Sequence, residues 1–178
     1  MGQEKDLAAR FIEDIVKRFE NVKSLGDGAL AQLEDEELFF TLDPESNSIA
    51  IQIQHLHGNM MSRWTDFLSS DGEKPWRERD AEFEAQDVSG AELRQRWEAG
   101  WACLFAALGP LRPDDLLRTI YIREQPVSVL DAILRQLAHL SYHAGQIVLL
   151  AKHLRGPEWR TLSIARGQSR QYQARPRD

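Results

Sequence analysis

The stretch that most constrains this chain is Ser128 to Arg155, SVLDAILRQLAHLSYHAGQIVLLAKHLR, which no proline interrupts and which carries closing signals at both ends. Ser128 and Asp131 form an S-x-x-D start and Gly156-Pro157 a stop, so the segment reads as roughly seven turns of α-helix. A helix that long in a globular chain must bury one side. At about 100° per residue, Leu130, Ile133, Leu137, Ala144, Val148 and Ala151 line up as the apolar stripe that enters a core. His139 and His143 fall on a second stripe beside it. Their i, i+4 spacing stacks the two rings one turn apart, so both imidazoles can reach a single ion. Gln146 shares that stripe, placed to orient a ligand ring or a bound water. Gly145 beside it removes a side chain where a neighbour must come close.

The remaining chain supplies three more helical patterns. Residues 4–24 place Leu7, Phe11, Ile15, Val16 and Phe19 at helical spacing, with Gly26 and Gly28 read as the end of that helix and a further helical turn at Leu30 to Leu33. After the acidic run Glu34 to Glu37, Phe39 and Phe40 are expected to plug the end of the core. Ser48 to Leu68 is the second long helix, in which the i, i+4 pairs Leu56/Met60, Met60/Trp64 and Trp64/Leu68 outweigh the β-branched start. It carries His55 and His57, about 200° apart on a helical wheel, so only one can face a given site. Periodicity sets His57 nearer the apolar stripe and does not by itself assign a third ligand.

Residues 69–88 are a long polar connection with aromatic anchors at Trp76 and Phe83, of a length that is functional or packed by its own side chains. Ser89 and Glu92 form a capping box for a third helix carrying Leu93, Trp97, Trp101, Leu104, Phe105 and Leu108, which stops at Gly109-Pro110. Thr119 to Arg123 is a short extended arm ended by Pro126. Four helical patterns without a strand-rich block predict an all-α four-helix bundle with short extended segments, one domain over residues 1–178, in which metal sites are built from facing helices.

Composition narrows the function. The formal net charge of −6 argues against nucleic acid and anionic membranes as partners, and no apolar run approaches the ~20 residues of a membrane span. The single cysteine, Cys103, permits no intramolecular disulfide and no thiolate-rich zinc site, which points to a reducing cytoplasm. Five tryptophans and seven phenylalanines are many for a chain of this size and predict self-association as a homodimer. In the basic tail, 157–178, Trp159 and Leu162 are anchors a free coil would not need. Trp159 to Ser169 is therefore expected to pack back along the helices, with Arg160 or Arg166 meeting acidic surface near the mouth of the site.

The stretches QHLHGNMMSRWTDFLSSDGEKPW, TIYIREQPVSVLDAILRQLAHLSYHAGQIVLLAKH and WRTLSIARGQS carry a resemblance that spans most of the chain from Ser48 onward. In them the chain resembles the DinB-like superfamily, which includes the YfiT-like proteins assigned as metal hydrolases and several thiol-dependent transferases, and more closely an uncharacterised bacterial family within it. Ala165 stands where the resemblance leads one to expect proline. The resemblance implies that His55 is the third ligand beside His139 and His143, because the second-helix histidine of the superfamily is followed by leucine or isoleucine. His57, Asn59 and Gln146 are then left to orient groups around the site.

Three histidines without a fourth protein ligand leave coordination positions open, as in catalytic sites. Neutral imidazoles suit zinc or nickel, with iron and manganese as alternatives. The expected function is a metal-dependent transferase or hydrolase acting on a small molecule, which includes the low-molecular-weight thiols. The alternative from another class is a non-catalytic, metal-stabilised dimer acting in stress response through protein contacts.

Overall fold

The computed structural model describes residues 2–171. Among these it is mostly helical, with four long helices and one small hairpin: α1 (Gly2–Leu30), α2 (Ile49–Trp64), α3 (Gly90–Leu108), β1 (Thr119–Ile122), β2 (Gln125–Ser128) and α4 (Val129–Arg155). Three of the helices begin on a serine whose hydroxyl accepts an otherwise unpaired backbone N–H: Ser48 from Ile51, Ser89 from Glu92 and Ser128 from Asp131. The box expected around Ser89 is only half made, since the Glu92 carboxylate turns to Arg96 at 2.7 Å. Gly156, at φ 51° and ψ −120°, ends α4 in a positive-φ conformation that favours glycine.

One apolar core runs between the helices. α2 packs most extensively on α3, and α1 on α4. Phe19, Leu38, Ile53, Leu56, Met60, Leu93, Leu104 and Ile133 are all sealed from solvent. Each contributes roughly 1.5–3 kcal/mol of transfer free energy.

The structure corrects several expectations. Neither Gly26 nor Gly28 ends the first helix, which continues to Leu30; both admit neighbours instead. A Cβ on Gly26 would stand 2.5 Å from the Trp97 ring, and one on Gly28 2.7 Å from Leu162. Phe39 and Phe40 are 42% and 37% exposed, and Leu38 fills the core position expected of them. The second helix stops at Trp64, four residues short, because Thr65 turns extended and Asp66 adopts φ 49°. Trp76 is 55% exposed and anchors nothing. Pro126 lies inside β2 opposite Tyr121, tolerated because the two-stranded ladder has only edges.

The buried arc of α4 comprises Val129, Ala132, Ile133, Gln136, Leu140, His143, Ala144, Ile147, Leu150 and Ala151. It is turned by roughly 70° from the apolar stripe read off the sequence, at about 100° per residue. The reason is polar: Gln136 and His143 face inward, and a reading based on hydrophobicity counts them as surface. Leu130, Leu137 and Val148 sit on the flank, half-buried.

The tail does return to the helices, by a different route from the one expected. Trp159 and Leu162 pack against the core. Gln32, two residues past the end of α1, donates from Nε2 to the Arg160 carbonyl at 3.1 Å and accepts the Arg160 N–H at 2.8 Å, pairing with the tail backbone as a strand would. The attachment is thus to the C-terminal end of α1 through an amide, not to acidic surface through Arg160 or Arg166, and no tail residue lines the clefts beside the histidines. Removing the chain from Glu158 onward should lower stability by about 1–3 kcal/mol, several degrees in melting temperature for a domain this size. Calorimetry showing an unchanged melting temperature would refute this attachment.

Candidate metal centre

α2 and α4 run antiparallel and bring two polar ladders face to face. On α2, His55, Asn59 and Arg63 succeed one another at i, i+4, i+8. On α4, Arg135, His139 and His143 do the same. The ladders meet in opposite order. His55 faces the two α4 histidines, with its Nε2 3.0 Å from Nε2 of His139 and its ring 5.1 Å from that of His143. One turn along, Asn59 Oδ1 accepts from Gln136 Nε2 at 3.0 Å. A turn beyond that come the two arginines.

One nitrogen from each of His55, His139 and His143 lies within 4.8 Å of the others. The chemistry of this set fits a divalent ion. Nitrogens about 2.0–2.1 Å from a tetrahedral zinc lie roughly 3.3–3.4 Å apart, close to the separation of the His55 and His139 pair. Nδ1 of His143 is buried without a hydrogen-bond partner, a cost of about 1–3 kcal/mol for a polar atom left unsatisfied.

His55 is held from behind. Its Nδ1 lies 2.9 Å from Oε2 of Glu82, which receives two further bonds from Arg77, Nε to Oε1 at 2.8 Å and Nη2 to Oε2 at 2.9 Å. Burial alone would raise the Glu82 carboxyl, but the hydrogen bonds from His55 and Arg77 and the Arg77 charge outweigh it and hold the pKa below the ordinary glutamate value. An ionised carboxylate can only accept, so Nδ1 of His55 donates to it, and Nε2 on the far side of the ring is directed at Nε2 of His139. This carboxylate–histidine arrangement is the one that orients metal-ligating imidazoles. The ring of Phe83 lies 4.7 Å from that of His55 and closes the remaining side.

Gly58 makes the approach of Glu82 feasible. A Cβ there would stand 2.1 Å from Oε1, well inside contact distance, so any side chain at 58 evicts the carboxylate. Gln54, one turn earlier, donates to the Glu82 and Glu84 carbonyls at 3.3 and 3.2 Å and fixes the segment's backbone. The 69–88 connection therefore supplies Arg77, Glu82 and Phe83 to the site. None of the three was singled out for such a role from sequence. The available signal was a glycine one turn from a histidine inside a helix, together with a connection too long to be a mere link.

The other expected residues are placed as follows. Asn59 is buried and lines the open space next to His139. His57 is half-buried on the α3 side of α2, where burial first and the Arg96 charge second lower its pKa. Gln146 is also half-buried, and among the described residues no hydrogen bond joins His57 or Gln146 to the three histidines. Gly145 is exposed, with nothing within 4 Å of where its Cβ would be, so it admits no close neighbour within the chain. Cys103 is a free, half-buried thiol within reach of Thr65 Oγ1 at 3.6 Å, a packing residue of α3.

Two adjoining clefts of about 210 and 200 Å³ open onto the cluster, sharing Asn59, Arg63, Ile122, Arg135 and His139 in their walls. The family model described as "Protein of unknown function (DUF1572)" matches residues 6–168, nearly the whole chain, and the protein belongs to that family. No curated protein matches the chain.

Burial, with the charges of the neighbouring histidines and of Arg77 and Arg63, lowers the pKa of His139 to about 3; burial and His55 lower that of His143 to about 4. Above the ordinary histidine value of about 6.5 both rings are neutral whether the chain is folded or not. Below it the unfolded chain binds protons that the folded one refuses, so the stability present at neutral pH is lost as pH falls toward the folded values. Glu82, whose pKa is lowered on folding, adds to this loss further down. Urea unfolding of metal-free protein should show a midpoint that drops steadily between about pH 6.5 and pH 4; a flat profile across that window would contradict the burial of these rings.

Proposed function

We propose that this member of the DUF1572 family is a metal-dependent enzyme of the DinB-like kind, a four-helix bundle whose His55, His139 and His143 hold one divalent ion and whose clefts admit a small-molecule substrate. The observation that carries the reading is the convergence of three imidazoles beside an open cleft that His55 and His139 line, with His55 braced by a buried carboxylate. A structural site closes its fourth position with a further side chain. Among the described residues, the fourth side here is cleft.

The residues define a division of labour. Glu82 fixes the tautomer and ring orientation of His55, and Arg77 keeps Glu82 ionised. Burial keeps His139 and His143 neutral near pH 7, the state in which an imidazole can donate a lone pair. Asn59 and Gln136, already paired with each other, hold the hydrogen-bonding groups nearest His139 that can orient a substrate. When bound, a divalent ion supplies Lewis acidity, which suits hydrolysis or transfer of a thiol. Zinc or nickel matches the all-imidazole set best, with iron and manganese as further candidates. Cys103 lies outside the clefts, so a thiol in the reaction belongs to the substrate; the cytoplasm, with its low-molecular-weight thiols, is the compartment this implies.

Elemental analysis of protein purified without an affinity tag tests the site. The expected result is about one equivalent of a divalent metal per chain, lost in His139→Ala. Glu82→Gln, which keeps the shape and removes the charge, should bind the metal about 10–100-fold more weakly. Wild-type protein that takes up no divalent metal under any loading condition would reduce the cluster to three packed histidines.

A second reading, a non-catalytic dimer stabilised by metal, draws on the outer face of α4. Leu134, Tyr142 and Leu149 are 46%, 66% and 62% exposed there, with Ala138 and Gly145 between them offering small surfaces for close packing. On this reading two copies pair through α4, and light scattering returns twice the chain mass of 20.4 kDa. Tyr142→Lys combined with Leu149→Lys should yield monomers; a wild-type mass near the single-chain value would rule the pairing out.

A further inference from the structure

Five arginines, Arg63, Arg77, Arg79, Arg123 and Arg135, line one of the clefts at the histidine cluster, and no acidic side chain lines either cleft. The chain as a whole is acidic, with 28 carboxylates against 22 basic side chains, so this is a local reversal of sign. Two of the five are already matched. Arg77 is bound to Glu82, and Arg123 to Glu73 at 3.0 Å. Arg79 lies over the Phe83 ring and reaches Asp80 only at 3.8 Å, while Arg135 reaches Asp131 only at 3.9 Å, both on exposed surface where such pairs contribute little.

Arg63 is the exception that points to a ligand. It makes no ion pair among the described residues, and its Nη1 is buried without a hydrogen-bond partner. Its stem is held beside Gly72, whose missing Cβ would stand 3.0 Å from Arg63 Cδ. Burial lowers its pKa to about 10, and the charges of Arg77, Arg135 and Arg123 push the same way against Glu73. A guanidinium desolvated among like charges is stabilised by an anion that bridges it to a neighbour. The antiparallel ladders supply that neighbour in Arg135, which shares both clefts with it.

The hairpin adds a strained turn at the same opening. Arg123 and Glu124 form its two-residue turn with φ of 54° and 62°, a conformation that glycine and asparagine adopt easily and these residues do not. The Asp71 carboxylate pins the turn, accepting the N–H groups of Arg123 at 2.9 Å, Glu124 at 2.7 Å and Glu73 at 2.7 Å. The result is Ile122 and Arg123 held over the cleft. Strain of this kind persists where the surroundings over-determine it and marks functional positions.

We infer that the clefts take a small substrate bearing an anionic oxygen group, a carboxylate or a phosphate, which docks between Arg63 and Arg135 while the rest of the molecule lies along His139 toward Asn59, Gln136, Ala132 and Ile122. This rests on the histidine cluster being the reaction centre, and it names the substrate class for that centre. Volumes of about 210 and 200 Å³ suit a metabolite-sized molecule, and the chain's net charge disfavours a polyanion.

Calorimetric titration of zinc-loaded protein with inorganic phosphate and, separately, with succinate distinguishes the two headgroups. Saturable binding of at least one is expected. Arg63→Gln and Arg135→Gln should each weaken it by roughly tenfold to a hundredfold, the value of a charge-assisted hydrogen bond. Arg10→Gln, on the exposed face of α1, should leave it unchanged. Arg135 is 57% exposed in its side chain, so its substitution leaves the fold intact even if that of Arg63 does not. Absence of saturable binding by both anions, or binding that neither cleft arginine affects, overturns the inference. Zinc content is measured on the same samples: a protein that binds zinc but no anion overturns this inference alone, and one that binds the anion through its arginines but no zinc overturns the metal reading alone.

Discussion

The carboxylate of Glu82, buried against α2 and shared between Arg77 and His55, is the interaction on which the rest of the site depends. Three groups that would each be unfavourable to bury alone become mutually necessary: a carboxylate 9% exposed, a guanidinium 2% exposed and an imidazole 7% exposed. Such a triad adds less net stability than apolar side chains of the same volume would, because desolvation offsets much of the attraction. Its strength is asymmetric. Losing Glu82 or Arg77 leaves an uncompensated buried charge, at a cost of several kcal/mol, and the Glu82 bond to His55 ties the connection that carries both to α2.

That tie explains why a helical core keeps a long irregular segment. The segment leaves α2 after Trp64 and is stitched to the hairpin, where Gly72 donates its N–H to the Tyr121 carbonyl at 2.8 Å and Asp71 caps the turn. It then returns over the face of α2 to deliver Glu82 and Phe83 behind His55. Helices α2 and α4 set the spacing of the histidines, and the connection and hairpin enclose the space in front of and behind them. The histidine cluster is thus built on rigid elements and trimmed by loops, with one side left open.

The polar content of the core follows from the same geometry. Gln136 and His143 lie within the buried arc of α4, and Asn59 and His55 along one side of that of α2. Each polar residue facing inward removes an apolar one, which the flanking Leu130, Leu137 and Val148 partly replace. A helix patterned only for packing would have put leucine at these positions. Their inward placement is a local conflict between pattern and fold of the sort that accompanies function.

Much of this was legible in the sequence because it is local. The starts of α3 and α4 depend on a serine bonding to the N–H three residues on, and Ser89 and Ser128 each do so. The i, i+4 spacing of His139 and His143 follows from helical geometry wherever the helix lies. What periodicity could not supply was direction across space. It put the core stripe of α4 about 70° away from its true centre, because counting apolar residues assigns Gln136 and His143 to the surface. It left His55 and His57 undecided, and a resemblance pointed to His55 where the wheel favoured His57. Gly26 and Gly28 read as a helix end, since a chain without neighbours shows no Trp97 or Leu162 lying against them. Sequence alone determined the helices, their caps and the paired imidazoles, which are set within a turn or two of backbone. Only the tertiary structure decided that Glu82, twenty-seven residues from His55, closes the back of the site and that Arg63 and Arg135, from two helices, line the same clefts. Long-range pairing of charge depends on how helices pack, and no spacing along the chain encodes it.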